Sequence, residues 1–301
     1  MTVGRFAPSP SGRMHLGNVF AALLAWCSVR NVGGTLLLRL EDLDPDRCKP
    51  VYGDQIKRDL EWLGLDWDRE AQPQSQRGEV YRSYLDRLEA LGLLYPCYCT
   101  RDQLLAPSAP HRSDGRRIYP GTCRDLTPAQ RAAMTKAPAL RLRVPDRTYT
   151  VHDGLQGDYS ENLEADCGDF IVCRADGVCA YQLAVVVDDG LSGVTQVVRG
   201  RDLLDSTPRQ QYLQELLGFP IPETCHVPLL ITPEGRRISK RERDLDLGVL
   251  QSRMSPEILI GALAHTAGLL DRPRPITPRE LAADFSWSRV RREDQIAPFL
   301  T

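Results

Sequence analysis

Two short segments, more than 200 residues apart, carry side chains suited to phosphate chemistry. The first, His15-Leu-Gly-Asn18, follows a proline-rich loop and opens a predicted helix. The start of a helix offers unpaired N–H groups and the positive end of its dipole, Gly17 lets a large ligand approach the backbone, and His15 can donate to a phosphate oxygen. Alone, such a tetrapeptide is more often a helix cap with a surface histidine.

The second segment is the basic run at residues 236–243, which contains five Lys or Arg side chains and one acid. It includes Ser239 and Lys240. Cations held against a transferring phosphoryl group stabilise the charge that develops on it. A solvated basic loop is the ordinary alternative, so the run predicts phosphate chemistry only in combination with the first segment.

Cysteines form a third candidate site. Cys97 and Cys99 are two residues apart and Cys123 lies 24 residues further on, a spacing typical of a zinc hairpin. A structural zinc needs a fourth ligand, and His111 in the same loop is the chemically usual one. Three reduced cysteines without a metal are the alternative. The other cysteines are expected to be small core side chains: Cys27, Cys48, Cys167, Cys173, Cys179 and Cys225.

The elements that must position the first segment have an α/β pattern. A rigid loop with prolines at positions 8 and 10 leads into a helix predicted over residues 18–30, followed by a buried strand at 35–40. Helices are predicted at 51–63 and 79–92, each ending near a glycine. Loop, helix, strand and helix in this order predict an α/β fold with a parallel sheet.

The rest of the chain divides by composition. Residues 95–124 have few periodic apolar positions, residues 138–160 are β-rich, and the α/β pattern returns at 169–173 with a further strand predicted at 181–189. A helix near 207–217, a short strand at 228–231 and a helix at 255–270, capped by Ser255 and beginning with Pro256, complete the prediction. The predicted units are 1–94 and 167–230 as catalytic halves, 95–166 as an inserted zinc-bearing subdomain, and 231–301 as the basic loop with a helical region.

Composition limits the function classes. The chain has 301 residues, 38 basic and 40 acidic, so its net charge of −2 does not indicate nucleic-acid binding, which would need local basic patches such as 112–117 and 236–243. The most apolar stretch, 19–29, is about half of the roughly 20 residues that a membrane span needs. We expect a cytoplasmic protein, monomeric by default, with neither a membrane partner nor a disulfide framework.

Together the two phosphate segments resemble the HIGH and KMSKS motifs of class I aminoacyl-tRNA synthetases. Four further segments look like the catalytic domain of glutamyl-tRNA synthetases, and the resemblance covers residues 3 to 245 in the right order: residues 5–12, 39–44, 181–189 and 198–200. Two positions depart from the motifs. Asn18 stands in place of the last histidine, and Arg237 stands in place of the first lysine, keeping its charge but not its compact ammonium.

Only about 60 residues follow Lys240, which leaves no length for the helical anticodon-binding region of the larger synthetases. This short form resembles the family of glutamyl-queuosine tRNA(Asp) synthetases. The resemblance implies that glutamate is activated by ATP with Mg²⁺, without tRNA, and attached to the queuosine base in the anticodon of tRNA(Asp). Val185 agrees, because the relatives that charge tRNA usually carry asparagine there.

The resemblance also implies roles for individual residues. Arg5, Arg199 and Tyr181 would hold the side-chain carboxylate of glutamate. Glu41 would hold its ammonium group, although a structural salt bridge is the alternative for Glu41. The full expected glutamate set is Arg5, Phe6, Ala7, Pro8, Ser9, Glu41, Tyr181 and Arg199. The expected ATP set is His15, Gly17, Asn18, Ser239 and Lys240, with His15 and Lys240 as the catalytic pair. The family spacing favours Tyr119 over His111 as the fourth zinc ligand beside Cys97, Cys99 and Cys123.

Three other functions remain open at this level. A short glutamyl-tRNA synthetase would charge the 3′ end of tRNA(Glu). A non-catalytic relative would only bind RNA. A ligase could pass an activated amino acid to a small thiol or peptide. No residue pattern in the sequence predicts direct recognition of queuosine, and no side chain can be assigned as the base for the transfer step.

Overall fold

The computed structural model describes residues 1–105, 118–238 and 246–299. Within these residues the chain forms strands β1 (Val3–Phe6), β2 (Thr35–Leu38), β3 (Arg69–Glu70), β4 (Leu94–Cys97), β5 (Ala139–Leu142), β6 (Thr148–Asp153), β7 (Gly157–Asn162), β8 (Phe170–Cys173), β9 (Gln196–Gly200), β10 (Glu223–Val227), β11 (Leu230–Ile231) and β12 (Gln295–Ile296). The helices are α1 (Leu16–Asn31), α2 (Pro50–Leu63), α3 (Gly78–Ala90), α4 (Arg101–Leu105), α5 (Pro128–Ala132), α6 (Tyr181–Ser192), α7 (Thr207–Leu217), α8 (Leu247–Arg253), α9 (Pro256–Ala267) and α10 (Pro278–Ala283).

A five-stranded parallel sheet forms the centre of the fold, with the strand order β10-β9-β1-β2-β3. From β1 the chain passes through α1 to β2 on one side, and much later it returns as β9 on the other side. The point between β1 and β9 is therefore the topological switch of the sheet, where ligands of open α/β sheets bind at the carboxyl ends of the strands. The predicted α/β fold with a parallel sheet is confirmed.

Smaller sheets surround the central one. Strands β4, β5 and β8 form an antiparallel sheet, β6 and β7 form a hairpin, and β11 pairs with β12 in parallel. The β-rich character predicted for residues 138–160 is thus confirmed. The antiparallel sheet joins the predicted inserted subdomain to residues 170–173, and the exact division of the chain into units stays a prediction.

Helix α1 lies at the core between the central sheet and α10. Eleven of its sixteen residues are buried, which explains why its sequence is apolar on nearly every side. The helix starts two residues earlier than predicted because His15 serves as its N-cap. A second core lies beneath α3, α6 and α7, where aliphatic side chains pack against β5 and β8.

The segment 181–189, predicted as a strand, is helix α6, so that prediction was wrong. Its five residues from Leu183 to Val187 are all buried. The run is therefore apolar without a period, and such a run reads equally well as a buried strand or a buried helix. Contacts with α3, α7 and β8 surround the helix and override the strand preference of its three valines.

The remaining helices match their predictions with shifted ends. Helix α9 stops at Gly268, which adopts the left-handed conformation, rather than at residue 270. Pro256 begins it as predicted. Ser255 occupies the N-cap position as predicted, although its side chain makes no capping hydrogen bond to the backbone of the helix.

All nine cysteines are free thiols, and four of the six expected in the core are buried, whereas Cys48 and Cys167 are partly exposed. Across the described parts of the chain, no helix combines the length and apolar character required to cross a membrane.

Candidate active site

A cleft of about 490 Å³ opens at the carboxyl ends of β1 and β9, which is the switch point of the central sheet. The residues predicted for glutamate and ATP binding converge there from four separate parts of the chain. Those that line the cleft are Arg5, Phe6, Ala7, Pro8, Ser9, His15, Gly17, Asn18, Glu41, Tyr181 and Arg199. Ser239 and Lys240 lie outside the described residues.

Buried charges form the floor of the cleft. Arg39 donates to Asp189 Oδ1 at 2.6 Å and to Glu41 Oε1 at 3.0 Å. Arg5 lies beside them, with its Nε 3.5 Å from Asp189 Oδ2 and its Nη1 donating to the carbonyl of Val198. The guanidinium of Arg39 thus bridges two carboxylates, and only Glu41 of the two lines the cleft.

Arg199 supplies a third guanidinium, fixed on three sides. Its Nε donates to His226 Nε2 at 2.9 Å, and its Nη2 donates to Thr207 Oγ1 and Gln210 Oε1, each at 2.9 Å. Its Nη1 faces the hydroxyl of Tyr181 across 3.4 Å. Tyr181 begins α6, so the helix that was mistaken for a strand is what brings this hydroxyl to the cleft.

The balance of charge at this floor favours an anion. The three arginines face Glu41 and Asp189, and Asp188, which pairs with Arg77 at 2.8 Å, also lies 3.8 Å from Arg39 Nε. Burial lowers the pKa of Arg5, and burial also raises the pKa of Glu41 despite its arginine neighbours. Arg5 and Arg199 line the cleft and could bind an added carboxylate, and Glu41 could bind an ammonium group.

The turn before α1 differs from the expectation that its N–H groups are unpaired. The N–H of Gly17 donates to His15 Nδ1 at 3.1 Å, and that of Asn18 donates to the His15 carbonyl at 2.9 Å. The Asn18 side chain accepts from the His15 backbone, which completes a capping box. Because Nδ1 accepts, the proton of the neutral imidazole sits on Nε2. The segment His15-Leu-Gly-Asn18 therefore does cap the helix, which was the alternative interpretation of its sequence.

Gly17 has a local reason to be glycine. A Cβ at this position would lie 3.1 Å from His15 Cε1, closer than side chains normally approach. Glycine at position 17 leaves room for the His15 imidazole to fold back over the start of the helix. Gly17 therefore helps to orient His15, and it also lets a ligand approach the backbone.

The two chain segments on either side of the basic loop both reach the cleft, and the second one contacts this turn. Ile238 lines the cleft, and Arg237 donates to Asp202 at 2.5 Å. Asp246 pairs with His15 in an antiparallel bridge, and the N–H of Leu247 donates to the carbonyl of Met14 at 3.3 Å. The described residues nearest to Lys240 therefore lie at the cleft on one side and contact the first phosphate segment on the other.

A separate cluster joins the three predicted metal-binding cysteines. The sulfur atoms of Cys97, Cys99 and Cys123 all lie within 4.8 Å of one another. The hydroxyl of Tyr119 is 3.4 Å from Cys97 Sγ and 4.0 Å from Cys99 Sγ, and it accepts from the Cys123 N–H at 2.9 Å. Tetrahedral zinc thiolates have sulfurs about 3.8 Å apart, so the cluster suits a metal ion, with Tyr119 beside it. His111 lies outside the described residues.

Comparison with known proteins identifies the family. The family described as "tRNA synthetases class I (E and Q), catalytic domain" matches residues 1–261. A glutamyl-Q tRNA(Asp) synthetase from Symbiobacterium thermophilum is 50% identical over 308 residues, which cover 97% of this chain and 95% of that protein. Another from Nitratidesulfovibrio vulgaris is 45% identical over 311 residues, covering 99% and 96%. The chain belongs to the glutamyl-Q tRNA(Asp) synthetase family.

Solved structures share the fold of this member of the glutamyl-Q tRNA(Asp) synthetase family. A glutamate tRNA ligase from Elizabethkingia meningosepticum, in complex with its amino acid, has a TM-score of 0.84 and 25% identity and covers 98% of this chain and 67% of its own. A Mycobacterium tuberculosis methionyl-tRNA synthetase with methionyl-adenylate has a TM-score of 0.57 at 13% identity, covers 88% of this chain and 64% of its own, and shows the shared fold alone.

Several polar residues of the site had no assigned role in the sequence. Arg39 and Asp189 belong to segments that carry the resemblance to this family, but their pairing across 150 positions leaves no local signal. His226 and Asp153 stand in ordinary strand sequences.

Proposed function

We propose that the protein activates L-glutamate with ATP, without tRNA, and transfers it to the queuosine base in the anticodon of tRNA(Asp). The observation that carries the proposal is the cleft floor, where three buried guanidinium groups lie beside one accessible carboxylate. The names of the relatives support the acceptor.

Glutamate fits the floor by charge and by shape. Its side-chain carboxylate would lie between Arg5 and Arg199, with the Tyr181 hydroxyl as a further donor. Its ammonium group would pair with Glu41, and Phe6, Ala7, Pro8 and Ser9 would line the walls. Arg39 would take no substrate contact, because its guanidinium is occupied by Asp189 and Glu41.

In the first step, an α-carboxylate oxygen of glutamate attacks the α-phosphorus of ATP and the bond to pyrophosphate breaks. The protein contributes position and charge. His15 Nε2–H donates to a phosphate oxygen, Gly17 and Asn18 shape the turn, and Ser239 and Lys240 would bind ATP, as the family resemblance implies. Mg²⁺ enters with ATP as the counter-ion of its phosphates.

In the second step, a hydroxyl of the queuosine cyclopentenediol attacks the carbonyl carbon of the adenylate and releases AMP. The bond between that carbon and the phosphate oxygen breaks, AMP leaves as a phosphate anion, and the proton of the attacking hydroxyl passes to the released phosphate or to solvent. AMP is a good leaving group because its negative charge is shared among the phosphate oxygens, and we assign no residue as a base for this step. The substrate is a cytoplasmic RNA, so the protein would work in the cytoplasm, as a monomer in the simplest case.

One zinc ion held by Cys97, Cys99, Tyr119 and Cys123 would supply a structural cross-link. The buried Arg141 supports this assignment, because its Nε donates to Cys97 Sγ at 3.2 Å and its guanidinium stacks on the Tyr119 ring at 3.5 Å. A cation at that place offsets the negative charge of the thiolates.

The activation step is tested by glutamate-dependent exchange of labelled pyrophosphate into ATP without RNA. We expect the wild type to be active and His15→Ala and Lys240→Ala to lose on the order of 10²–10³ in rate, as when an oxyanion donor is removed. Lys57→Ala, which removes a partly exposed cation paired with Glu70, is the control. Full exchange by Lys240→Ala would contradict the role of the basic loop.

The acceptor is tested by transfer of labelled glutamate to tRNA(Asp) with and without queuosine, and to tRNA(Glu). Label on queuosine-containing tRNA(Asp) alone supports the proposal. Label on the 3′ end of tRNA(Glu) would favour a short charging enzyme, and RNA binding without any exchange would favour a non-catalytic relative.

A further inference from the structure

A buried histidine joins Arg199 to the hairpin β6–β7. Arg199 Nε donates to His226 Nε2 at 2.9 Å, and His226 Nδ1 lies 2.6 Å from Oδ2 of Asp153. A guanidinium offers donors alone, so Nε2 must accept and Nδ1 must carry the ring proton. One neutral tautomer of His226 satisfies both contacts.

Asp153 is held as firmly as the histidine. The backbone N–H groups of Leu155 and Gln156 donate to its Oδ1 at 3.1 and 2.9 Å, and the N–H of His226 donates to the same atom at 3.0 Å. The side chains of Asp153 and His226 expose no surface. A buried carboxylate with this many donors keeps both its charge and its place.

These contacts decide which nitrogen of Arg199 faces the cleft. His226 holds Nε, and Thr207 and Gln210 hold Nη2, so the guanidinium plane is fixed along one edge. Nη1 is left beside the hydroxyl of Tyr181, where both residues line the cleft. Without the hydrogen bond from Arg199 Nε to His226, the guanidinium plane of Arg199 would be held through Nη2 alone and could rotate.

We propose that His226 and Asp153 are positioning residues that orient Arg199 Nη1 toward the side-chain carboxylate of the amino-acid substrate. Asp153 sets the histidine tautomer, and the histidine sets the arginine. Asp153 belongs to a hairpin outside the parallel sheet, and that hairpin docks on β10 through the N–H of Gly154 and the carbonyl of Thr224. The inserted part of the chain thus helps to build the amino-acid pocket. The inference rests on the proposed function, since it assumes glutamate as the substrate.

The test is the KM for glutamate and for ATP in pyrophosphate exchange. His226→Leu keeps an apolar side chain but removes the acceptor, and we expect the KM for glutamate to rise about tenfold or more while the KM for ATP is unchanged. In His226→Gln the amide oxygen can accept from Arg199, so the KM should return toward the wild-type value. His152→Gln alters the exposed histidine of the same hairpin and should change neither constant.

A purely structural role predicts a different result: a lower kcat from fewer folded molecules, equal KM values for glutamate, and no rescue by glutamine. That result would overturn the inference. If His226→Leu fails to fold, Asp153→Asn supplies the test. We expect this variant to raise the KM for glutamate by a smaller factor, and an unchanged KM for glutamate would contradict the inference. A wild type without glutamate-dependent exchange would instead overturn the proposed function itself.

Discussion

Glu41 experiences two opposing influences at the floor of the cleft. Burial disfavours its charge and raises its pKa, whereas Arg39 at 3.0 Å and the nearby Arg5 favour the charged form. The burial effect is the larger. The carboxylate assigned to the substrate ammonium therefore takes up a proton at a higher pH than an ordinary glutamate does.

We predict that the KM for glutamate rises as the pH falls toward the raised pKa of Glu41, because the protonated carboxyl cannot pair with an ammonium group. The KM for ATP should stay flat over the same range. Measurement of both constants in pyrophosphate exchange between neutral and mildly acidic pH provides the check. Equal pH dependence of the two constants would contradict the assignment of Glu41.

Arg39 illustrates a residue whose value is structural. We predict that Arg39→Leu destabilises the fold by about 3–5 kcal/mol, because it leaves Asp189 and Glu41 as buried charges with one partner fewer. Arg174→Leu removes an exposed pair with Asp176 and should cost about 1 kcal/mol or less. Urea unfolding of both variants measures the difference, and equal losses would refute the distinction.

The resemblance in sequence was sufficient to predict Arg5, Tyr181 and Arg199 as residues of one site, and the structure places all three at the cleft. The resemblance did not predict the residues that hold these side chains in place, such as His226 beside Arg199 and Asp189 beside Arg5. His226 meets Arg199 because β9 and β10 are neighbours in register, where His226 stands opposite Arg199. Register between strands is decided by the fold and leaves no mark within either strand alone.

At the scale of elements, the glycine-bounded helices and strands follow from local signals, as in α2, which ends at the left-handed Gly64. Helix α6 does not. Its buried run lacks the periodicity on which the distinction between helix and strand depends. Its identity is decided by the neighbours that enclose it, and these lie far away in the sequence.

The docking of hairpin β6–β7 on β10 should make stability depend on pH. Burial holds the pKa of His226 below its usual value, and hydrogen bonds from His226 and backbone N–H groups outweigh burial to hold the pKa of Asp153 at about 2. Below about pH 6.5 an unfolded histidine binds a proton that the folded one does not, so stability should fall with falling pH.

We therefore expect the free energy of unfolding of the wild type to decrease below about pH 6.5, with up to about 1.4 kcal/mol per pH unit from His226. Protonation of Asp153 would add to the loss only below about pH 4. Urea titrations of the wild type, His226→Gln and the exposed control His152→Gln test this. The first substitution should reduce the slope and the second should not; an unaltered slope in His226→Gln would disprove the linkage.

At the scale of the whole molecule, the cysteine cluster and the cleft belong to different sheets. Cys97 ends β4 in the antiparallel sheet, and Tyr95, Cys97, Tyr119 and Cys123 form a small core of their own. The cysteine cluster contributes no residue to the lining of the cleft. Stability of the cluster and chemistry in the cleft should therefore respond separately to loss of a metal.

We predict that the purified protein carries one zinc ion, and that a chelator lowers its Tm while glutamate-dependent exchange is largely retained at low temperature. Cys99→Ser should lose the metal, whereas Cys48→Ser, a partly exposed cysteine outside the cluster, should keep it. Metal content by mass spectrometry and thermal melts provide the measurement. If the purified wild type contained no metal, and its Tm were the same with and without the chelator, the zinc site would be contradicted.

The cleft also depends on a contact between distant parts of the chain. Asp59 of α2 is fully buried and accepts from Arg13 at 2.9 Å, from Gln55 at 2.8 Å and from Gln251 of α8 at 3.1 Å. Arg13 also donates to Gln251 at 2.5 Å. One carboxylate therefore ties the loop before His15 to the helix that follows the basic loop.

We expect Asp59→Asn to raise the KM for ATP more than the KM for glutamate, because it loosens the phosphate turn against α8 and leaves the amino-acid floor intact. Since a charged hydrogen-bond acceptor is lost, stability should fall by about 1–3 kcal/mol. Asp54→Asn changes an exposed carboxylate on the same helix and should alter neither property. If Asp59→Asn lost stability but kept both KM values, the contact would hold the fold without shaping the nucleotide site.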